Sequence, residues 1–319
     1  LFDRADASAN TLSAVVLEEF DQVLNALEAQ RPTGIVVRSA KSSGFIAGAD
    51  VNEFRGASDP EMVETRIRAA RAVVDHLEAL KLPTVAVIHG FCLGGGLEVA
   101  LGCHYRVADP TAKLGTPEVK IGLLPGAGGT QRLPRVMGVR KALEMTATGD
   151  PIGAKEGFDC GLIDRLIEGD LIPHAVGYAE EVRDVRPLPK SSAKQDKVDA
   201  ADPAVFDEFA REHAKKFRGF DAPLKNIAAV RVATEKPYAE GVIDERQLFM
   251  ELMTGPQATA QRYFFFAERK AAKIDGLPEG TAPRDIRKVG VIGAGTMGGG
   301  ISMNFLSAGI PVTIVEMGQ

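Results

Sequence analysis

Apolar residues near the start of the chain recur at steps of three and four, through Leu12, Val15, Val16, Phe20, Val23, Leu24 and Leu27. That is the period of a helix with one buried face, and it runs out near Gln30. Residues 34–38 follow as a strand and 42–44 as a loop, while 45–50 carry small side chains that leave the backbone open to approach. Asp59 and Pro60 supply an N-cap and a first helical position. The helix they open carries its apolar stripe on Ile67, Ala70, Val73, Val74, Leu77 and Leu80, and Pro83 closes it. The β-branched run 84–88 predicts a buried strand leading directly into a helix. Residues 105–109 are again strand-like, and a glycine loop at 126–129 precedes another helix. Proline, lysine and serine enrich 186–202, which predicts a linker. Residues 203–274 are helical in pattern, with Pro223, Pro237 and Pro256 spacing the segments. Their aromatic-rich end, 261–273, could suggest a membrane-surface helix, but core packing is the expectation. A second linker at 277–285 leads to a strand at 288–292, a helix reaching about 308 and a strand at 312–316.

The chemistry concentrates after the strand at 84–88, where the chain reads HGFCLGGGLEVALGCHYR. The glycines at 94–96 strip side chains from a strand-to-helix turn, so a ligand can reach amides that the new helix leaves unpaired. Such a turn favours negative charge. Glu98 is the one carboxylate in an apolar first turn and a half, and Glu118 follows on a Pro-Glu turn. Taken singly, a glycine turn, a first-turn acid and a Pro-Glu turn are ordinary structural features. Together they supply a donor pair and two carboxylates, which a reaction through an enolate requires. At the other end, GAGTMG begins at Gly293 between a strand and a helix, and Glu316 ends the next strand at about the expected distance of some 20 residues. That pattern marks a dinucleotide turn, with Gly293, Gly295, Met297, Gly298 and Glu316 as the cofactor-binding candidates.

Composition narrows the classes of partner. The 319 residues are 45% apolar and 25% charged, ordinary for a globular chain of two or three domains. Lysine and arginine total 38 against 43 acids, a net charge of -5, so no basic field recommends nucleic acid or an anionic membrane. Cys92, Cys103 and Cys160 are odd in number and set among apolar residues, reading as reduced core thiols in a cytoplasmic compartment. Cys103 and His104 have no partner spacing for a metal, and none is expected. No apolar run reaches the length of a membrane span. Leu1 is not an initiator methionine, so an upstream segment, with any targeting signal, is expected to be missing.

Four linked motifs carry a resemblance: FIAGADVNEF from Phe45, GFCLGGGLEVALGCHYRVAD from Gly90, GTPEVKIGLLPGAGGTQRLPR from Gly115 and VGVIGAGTMGGGI from Val289. With these the chain resembles the crotonase (enoyl-CoA hydratase/isomerase) family, and more closely its fatty-acid-oxidation multifunctional members, in which a hydratase is joined to a 3-hydroxyacyl-CoA dehydrogenase. The resemblance covers nearly the whole chain. It implies an α/β protein: a crotonase-type ββα spiral at 1–190, a helical region and linker packing on that core at 191–283, and the first βαβ of a Rossmann domain at 284–319. It places the oxyanion hole on the amides of Ala49 and Gly95, catalysis on Glu98 and Glu118, and substrate contacts on Ala47, Gly48, Asp50 and Gly94. Glu118 is then the expected proton donor to the α-carbon, with Glu98 holding and activating water. The substrate is an acyl-CoA thioester, hydration needs no cofactor, NAD serves the incomplete dehydrogenase domain, and a thiolase subunit is a possible partner. The incomplete domain is expected to bind NAD weakly or not at all. The family's CoA-phosphate lysine after the GAD motif is replaced by Asn52, leaving Lys41 or a basic residue of the late helices as substitutes. Enoyl-CoA Δ3-Δ2 isomerisation, or acyl-CoA binding or complex assembly without catalysis, stand as alternatives.

Overall fold

The computed structural model describes the chain apart from residues 6, 55–58, 272, 273, 275, 279 and 319, and it forms two compact units, 1–268 and 269–319. In the first unit the Ser13 hydroxyl accepts from the amide of Val16 and caps α1 (Ala14–Gln30). Asp59 likewise caps α2 (Pro60–Ala79) through the amide of Glu61, with proline in the first turn. Between them lie β1 (Ile35–Arg38) and β2 (Gly44–Ile46). The buried run Thr84–Ile88 is β3, as its β-branched residues dictate. The chain does not pass straight from there into a helix: a short strand, β4 (Phe91–Leu93), intervenes before α3 (Gly95–Gly102). A three-residue strand lacks enough residues to display a period, so only its pairing partners reveal it.

The next elements are β5 (Tyr105–Ala108), β6 (Lys113–Gly115), α4 (Gly129–Met137), α5 (Val139–Thr148), β7 (Ile152–Gly153), α6 (Ala154–Asp159), β8 (Arg165–Leu166) and α7 (Leu171–Glu181). One sheet has the order β1-β3-β5-β8 and a second the order β2-β4-β6-β7, parallel except for β6 with β7. Successive pairs of strands thus divide between the two sheets, and a helix follows each turn. This is the ββα spiral, not a flat doubly wound sheet. Val85, Ala86, Val87 and Ile88 on β3 are sealed from solvent. Full burial of each large side chain among them contributes about 1.5–3 kcal/mol.

The segment 186–202 is not a free linker. Ser191 is buried with its hydroxyl 2.9 Å from Glu78 Oε1 and 2.7 Å from Leu101 O, and Val198 on α8 (Asp196–Asp199) enters the main core. Its polar composition hid these partners because they lie on α2 and α3, far away in sequence. Phe206 and Phe209 on α9 (Ala204–Glu212), Phe217 on α10 (Ala214–Phe217), and Ile227 and Val230 on α11 (Asp221–Glu235) join the same core as Leu24, Leu77 and Leu97. Next come α12 (Tyr238–Met253) and α13 (Pro256–Ala271). The aromatic stretch on α13 departs from the expected core packing. Ala258 and Arg262, one turn apart, form the buried face, whereas Tyr263 and Phe264 are 77% and 66% exposed. Each step rotates about 100°, so consecutive aromatics cannot share one face of a helix.

Arg132 on α4 ties the late helices to the early ones. It is fully buried, reaches Asp75 Oδ1 at 2.6 Å and Glu78 Oε2 at 3.2 Å, and lies 4.5 Å from the Tyr238 ring centroid. The Tyr238 hydroxyl donates to the same Asp75 oxygen at 2.9 Å. Removing one partner from a buried ion pair leaves the other's charge unpaired, so Arg132→Met lowers stability by about 3–5 kcal/mol. Equilibrium urea unfolding checks this, and a loss under about 1 kcal/mol contradicts it.

The second unit consists of β9 (Val289–Ile292), α14 (Thr296–Ser307) and β10 (Val312–Val315), with the two strands parallel. Among the described residues no helix is long and apolar enough to cross a membrane. The three cysteines are free; Cys92 and Cys103 are core residues, whereas Cys160 is only half-buried. Burial pushes the Cys103 thiol up to about 12.

Candidate active site

The turn from β4 into α3 brings together the groups that the sequence singled out. Gly94 has φ 54°, and a methyl group there would lie 2.6 Å from Glu118 Oε1. The next glycine borders the other groups at van der Waals distance: a methyl on Gly95 would lie 3.7 Å from the Ala49 amide nitrogen and 3.9 Å from Glu98 Oε2. Two consecutive backbone positions therefore border both carboxylates and both expected donor residues. Asp50 N donates to Leu12 O and Leu12 N to Gly48 O, which pins residues 48–50 and leaves the Ala49 amide with no acceptor among the described residues. Gly95 N, the first amide of α3, also has none. Ala49 is exposed and Gly95 half-buried, so this donor pair can be approached.

Glu98 is only 3% exposed. Its Oε1 accepts from Ala127 N at 2.7 Å and Gly129 N at 2.9 Å, at the start of α4, leaving Oε2 on the side of Gly95. A side chain on Gly129 would stand 2.7 Å from Glu98 Oε1, so glycine is needed for the carboxylate to reach these amides. Burial pushes the Glu98 carboxyl up, opposed by the two amides and by the Arg132 charge.

Glu118 is held differently. The residue is half-buried overall, yet its Oε2 is sealed from solvent and has no hydrogen-bond partner among the described residues. Burial, and then the charge of Glu98, push its pKa up to about 8. At neutral pH Glu118 therefore holds a proton, while two amides and the Arg132 charge oppose the upward push of burial on Glu98. The two identical side chains thus stand in different surroundings, one anchored by two amides and one with an enclosed oxygen that has no partner among the described residues.

Of the expected substrate contacts, Gly94 and Gly48 lie at this turn: a methyl on Gly48 would approach Leu93 O at 3.2 Å and Gly94 Cα at 3.8 Å. Ala47 is exposed, with its amide bonded to Asn10 O. Asp50 pairs with Arg4 at 3.1 Å and accepts from the Asn52 side chain at 3.0 Å. Lys41, a candidate for the CoA phosphates, is already paired with Asp3 at 2.7 Å. Sequence reasoning missed Glu245, a fully buried carboxylate on α12 that accepts from Gly128 N at 2.8 Å and Thr130 N at 3.0 Å. A signal was present: Val242, Glu245, Phe249 and Leu252 form one buried helical stripe, and an acid on such a stripe needs explaining.

In the second unit Gly293 has φ 97° and opens the glycine turn, Gly295 caps α14, and a methyl on Gly298 would collide with Gly293 O at 1.8 Å. Glu316 Oε2 accepts from Ala294 N at 2.7 Å, which puts the acid beside the turn, and Met297 is exposed. A strand, a close-packed glycine turn and an acid at the next strand end fit a dinucleotide.

Buried acid, anchored carboxylate and an approachable amide pair can together spread charge onto a carbonyl oxygen and move protons beside it, as an enzyme acting on thioester enolates requires. The chain belongs to the enoyl-CoA hydratase/isomerase family, whose sequence model matches residues 2–215. Residues 288–319 match the model described as 3-hydroxyacyl-CoA dehydrogenase, NAD binding domain. Among curated proteins the chain is similar to the fatty acid oxidation complex subunit alpha of Shewanella frigidimarina (strain NCIMB 400), 37% identical over 97% of this chain and 45% of that one. It is also similar to the peroxisomal bifunctional enzyme of Danio rerio, 38% identical over 96% of this chain and 42% of that one. The chain thus spans less than half the length of these relatives. An enoyl-CoA hydratase from Rhodobacter sphaeroides 2.4.1 shares the fold, with a TM-score of 0.65 at 20% identity over 82% of this chain and 84% of that one.

Proposed function

We propose that this chain adds water to a trans-2-enoyl-CoA thioester, giving the 3-hydroxyacyl-CoA. The observation that carries the reading is the pairing of a proton-holding Glu118, its Oε2 enclosed and unpartnered, with an amide-anchored Glu98 at one glycine turn. The Ala49 and Gly95 amides receive the thioester oxygen, where negative charge grows as water attacks C3. Losing one such donor typically costs about 10²–10³ in turnover. Glu98 takes the proton from the attacking water and Glu118 delivers its own to C2, so one water is added and the enolate collapses. Ala47, Gly48, Asp50 and Gly94 line the approach for the acyl-CoA. The addition uses no cofactor. Crotonyl-CoA hydration, followed by loss of enoyl-thioester absorbance, tests the reading; a folded chain that binds crotonyl-CoA without turnover overturns it. Shifting a Δ3 double bond to Δ2 needs the same amide pair and a single base, and the presence of two carboxylates favours hydration. It also argues against a non-catalytic acyl-CoA carrier or assembly subunit.

The hydratase segment extends to about residue 190, the helical segment to 283, and an NAD-binding dehydrogenase segment begins at 284. In a longer protein of this kind NAD would accept hydride from the 3-hydroxyacyl-CoA, and the product would suit a thiolase subunit. Gly293, Gly295, Met297 and Gly298 would face the diphosphate and Glu316 the ribose. Free cysteines suit a reducing compartment such as the cytoplasm. Among the described residues, β9, α14 and β10 form the glycine-turn side of such a site, and a polypeptide of residues 1–319 titrated with NADH is expected to bind more weakly than micromolar; micromolar affinity would contradict this.

A further inference from the structure

Four consecutive amides, those of Ala127, Gly128, Gly129 and Thr130, are shared alternately by two buried carboxylates. Glu98 takes Ala127 N and Gly129 N on a single oxygen, at 2.7 and 2.9 Å. Glu245 takes Gly128 N on Oε1 at 2.8 Å and Thr130 N on Oε2 at 3.0 Å, with the Thr130 hydroxyl also donating to Oε2. The peptide planes between these amides are shared, so one set cannot turn away without disturbing the other. Glu245 is fully buried. It comes from α12, beyond the residues matched by the hydratase family model, which end at 215.

We infer that Glu245 is a positioning residue: by holding Gly128 and Thr130 it fixes the amides of Ala127 and Gly129 that aim Glu98. This rests on the hydratase reading, in which Glu98 activates the water. A purely architectural acceptor would satisfy the amides of Gly128 and Thr130 alone, and its loss would leave those of Ala127 and Gly129 unaffected. The Glu245 carboxyl faces burial and the like charge of Glu98, which together raise its pKa to about 8. Three donors converge on it in return, and all three belong to the loop that holds Glu98.

The test is Glu245→Gln, which keeps the volume but replaces one acceptor oxygen with an NH2 group that faces an amide donor. Amide hydrogen exchange read by NMR should speed up by about tenfold or more at Ala127 and Gly129, whose acceptor is Glu98 and not the altered residue. The kcat for crotonyl-CoA should fall about 10–100-fold, the loss typical when a group orienting a functional ligand is removed, with KM changed by less than about threefold. In a Glu98→Gln background the second substitution should cost less than about twofold, because the group it acts through is gone. Acceleration confined to Gly128 and Thr130, an unchanged kcat, or equal losses in both backgrounds would overturn the inference. If the unaltered protein hydrates nothing, the hydratase reading has failed, and the exchange at Ala127 and Gly129 decides the positioning role alone. If Glu245→Gln does not fold, Thr130→Val removes the hydroxyl bond to Glu245, together with one that the hydroxyl accepts from Gln131 Nε2, leaves both amide bonds to Glu245, and is measured in the same way.

Discussion

Replacing Glu118 with glutamine lowers crotonyl-CoA hydration by about 10²–10⁴-fold, the range expected for a positioned general acid, while acyl-CoA affinity changes little. The substitution keeps size and shape, and the enclosed Oε2 has no bond among the described residues to lose, so the fold has little reason to change. What disappears is the proton bound for C2. Stopped assays for hydration and calorimetry for binding separate the two effects; a parallel loss of affinity would make Glu118 structural. The pH profile carries the same information. A carboxyl raised to about 8 is protonated at neutral pH and loses its proton as pH climbs through that value, so kcat/KM falls on the alkaline side. The limb belongs to the Glu98–Glu118 pair as a unit, and in any residual activity of Glu118→Gln it is absent.

Glu98→Gln produces a loss of similar size by a different route. Glutamine keeps a carbonyl oxygen for the amides of Ala127 and Gly129, so the α4 loop stays in place, but it cannot take a proton from water. Activity falls by about 10²–10⁴-fold. The Glu98 charge is the second cause, after burial, of the raised Glu118 pKa, so neutralising it must lower that pKa. Carbon-13 titration of the Glu118 carboxyl should show its midpoint below about 8 in this variant. An unmoved midpoint would mean that the two carboxylates do not interact and would remove the basis for assigning them opposite roles. Glu98→Ala adds a distinct cost: two buried amides lose their acceptor, worth about 1–3 kcal/mol of stability each.

The periodic parts of the chain were legible without a structure. Apolar steps located α1 and α2, the caps Ser13 and Asp59 explain where they begin, and the β-branched run located β3. The segment 186–202 misled because its composition is polar while Ser191 and Val198 find partners on remote elements. The aromatic stretch misled in the opposite sense, since hydrophobic content says nothing about which face of a helix a residue occupies.

By itself the sequence determined the family and pointed to the candidate reactive groups, because both signals are local: a glycine turn opening a helix and acids within short motifs are set by a few consecutive residues. It also determined the dinucleotide turn, whose strand, glycines, helix and acid lie within one stretch. Only the tertiary structure decided what those groups are. Glu98 could have been a solvated first-turn acid and Glu118 an ordinary turn residue; the fold buries both, anchors Glu98 on two amides and, through burial and the Glu98 charge, raises Glu118 until it holds a proton at neutral pH. Glu245 and Arg132 belong to the same decision, because a pKa and a carboxylate's aim depend on dielectric, charge and donors within a few ångströms, and these neighbours come from α2, α3, α4 and α12 rather than from adjacent positions in the chain.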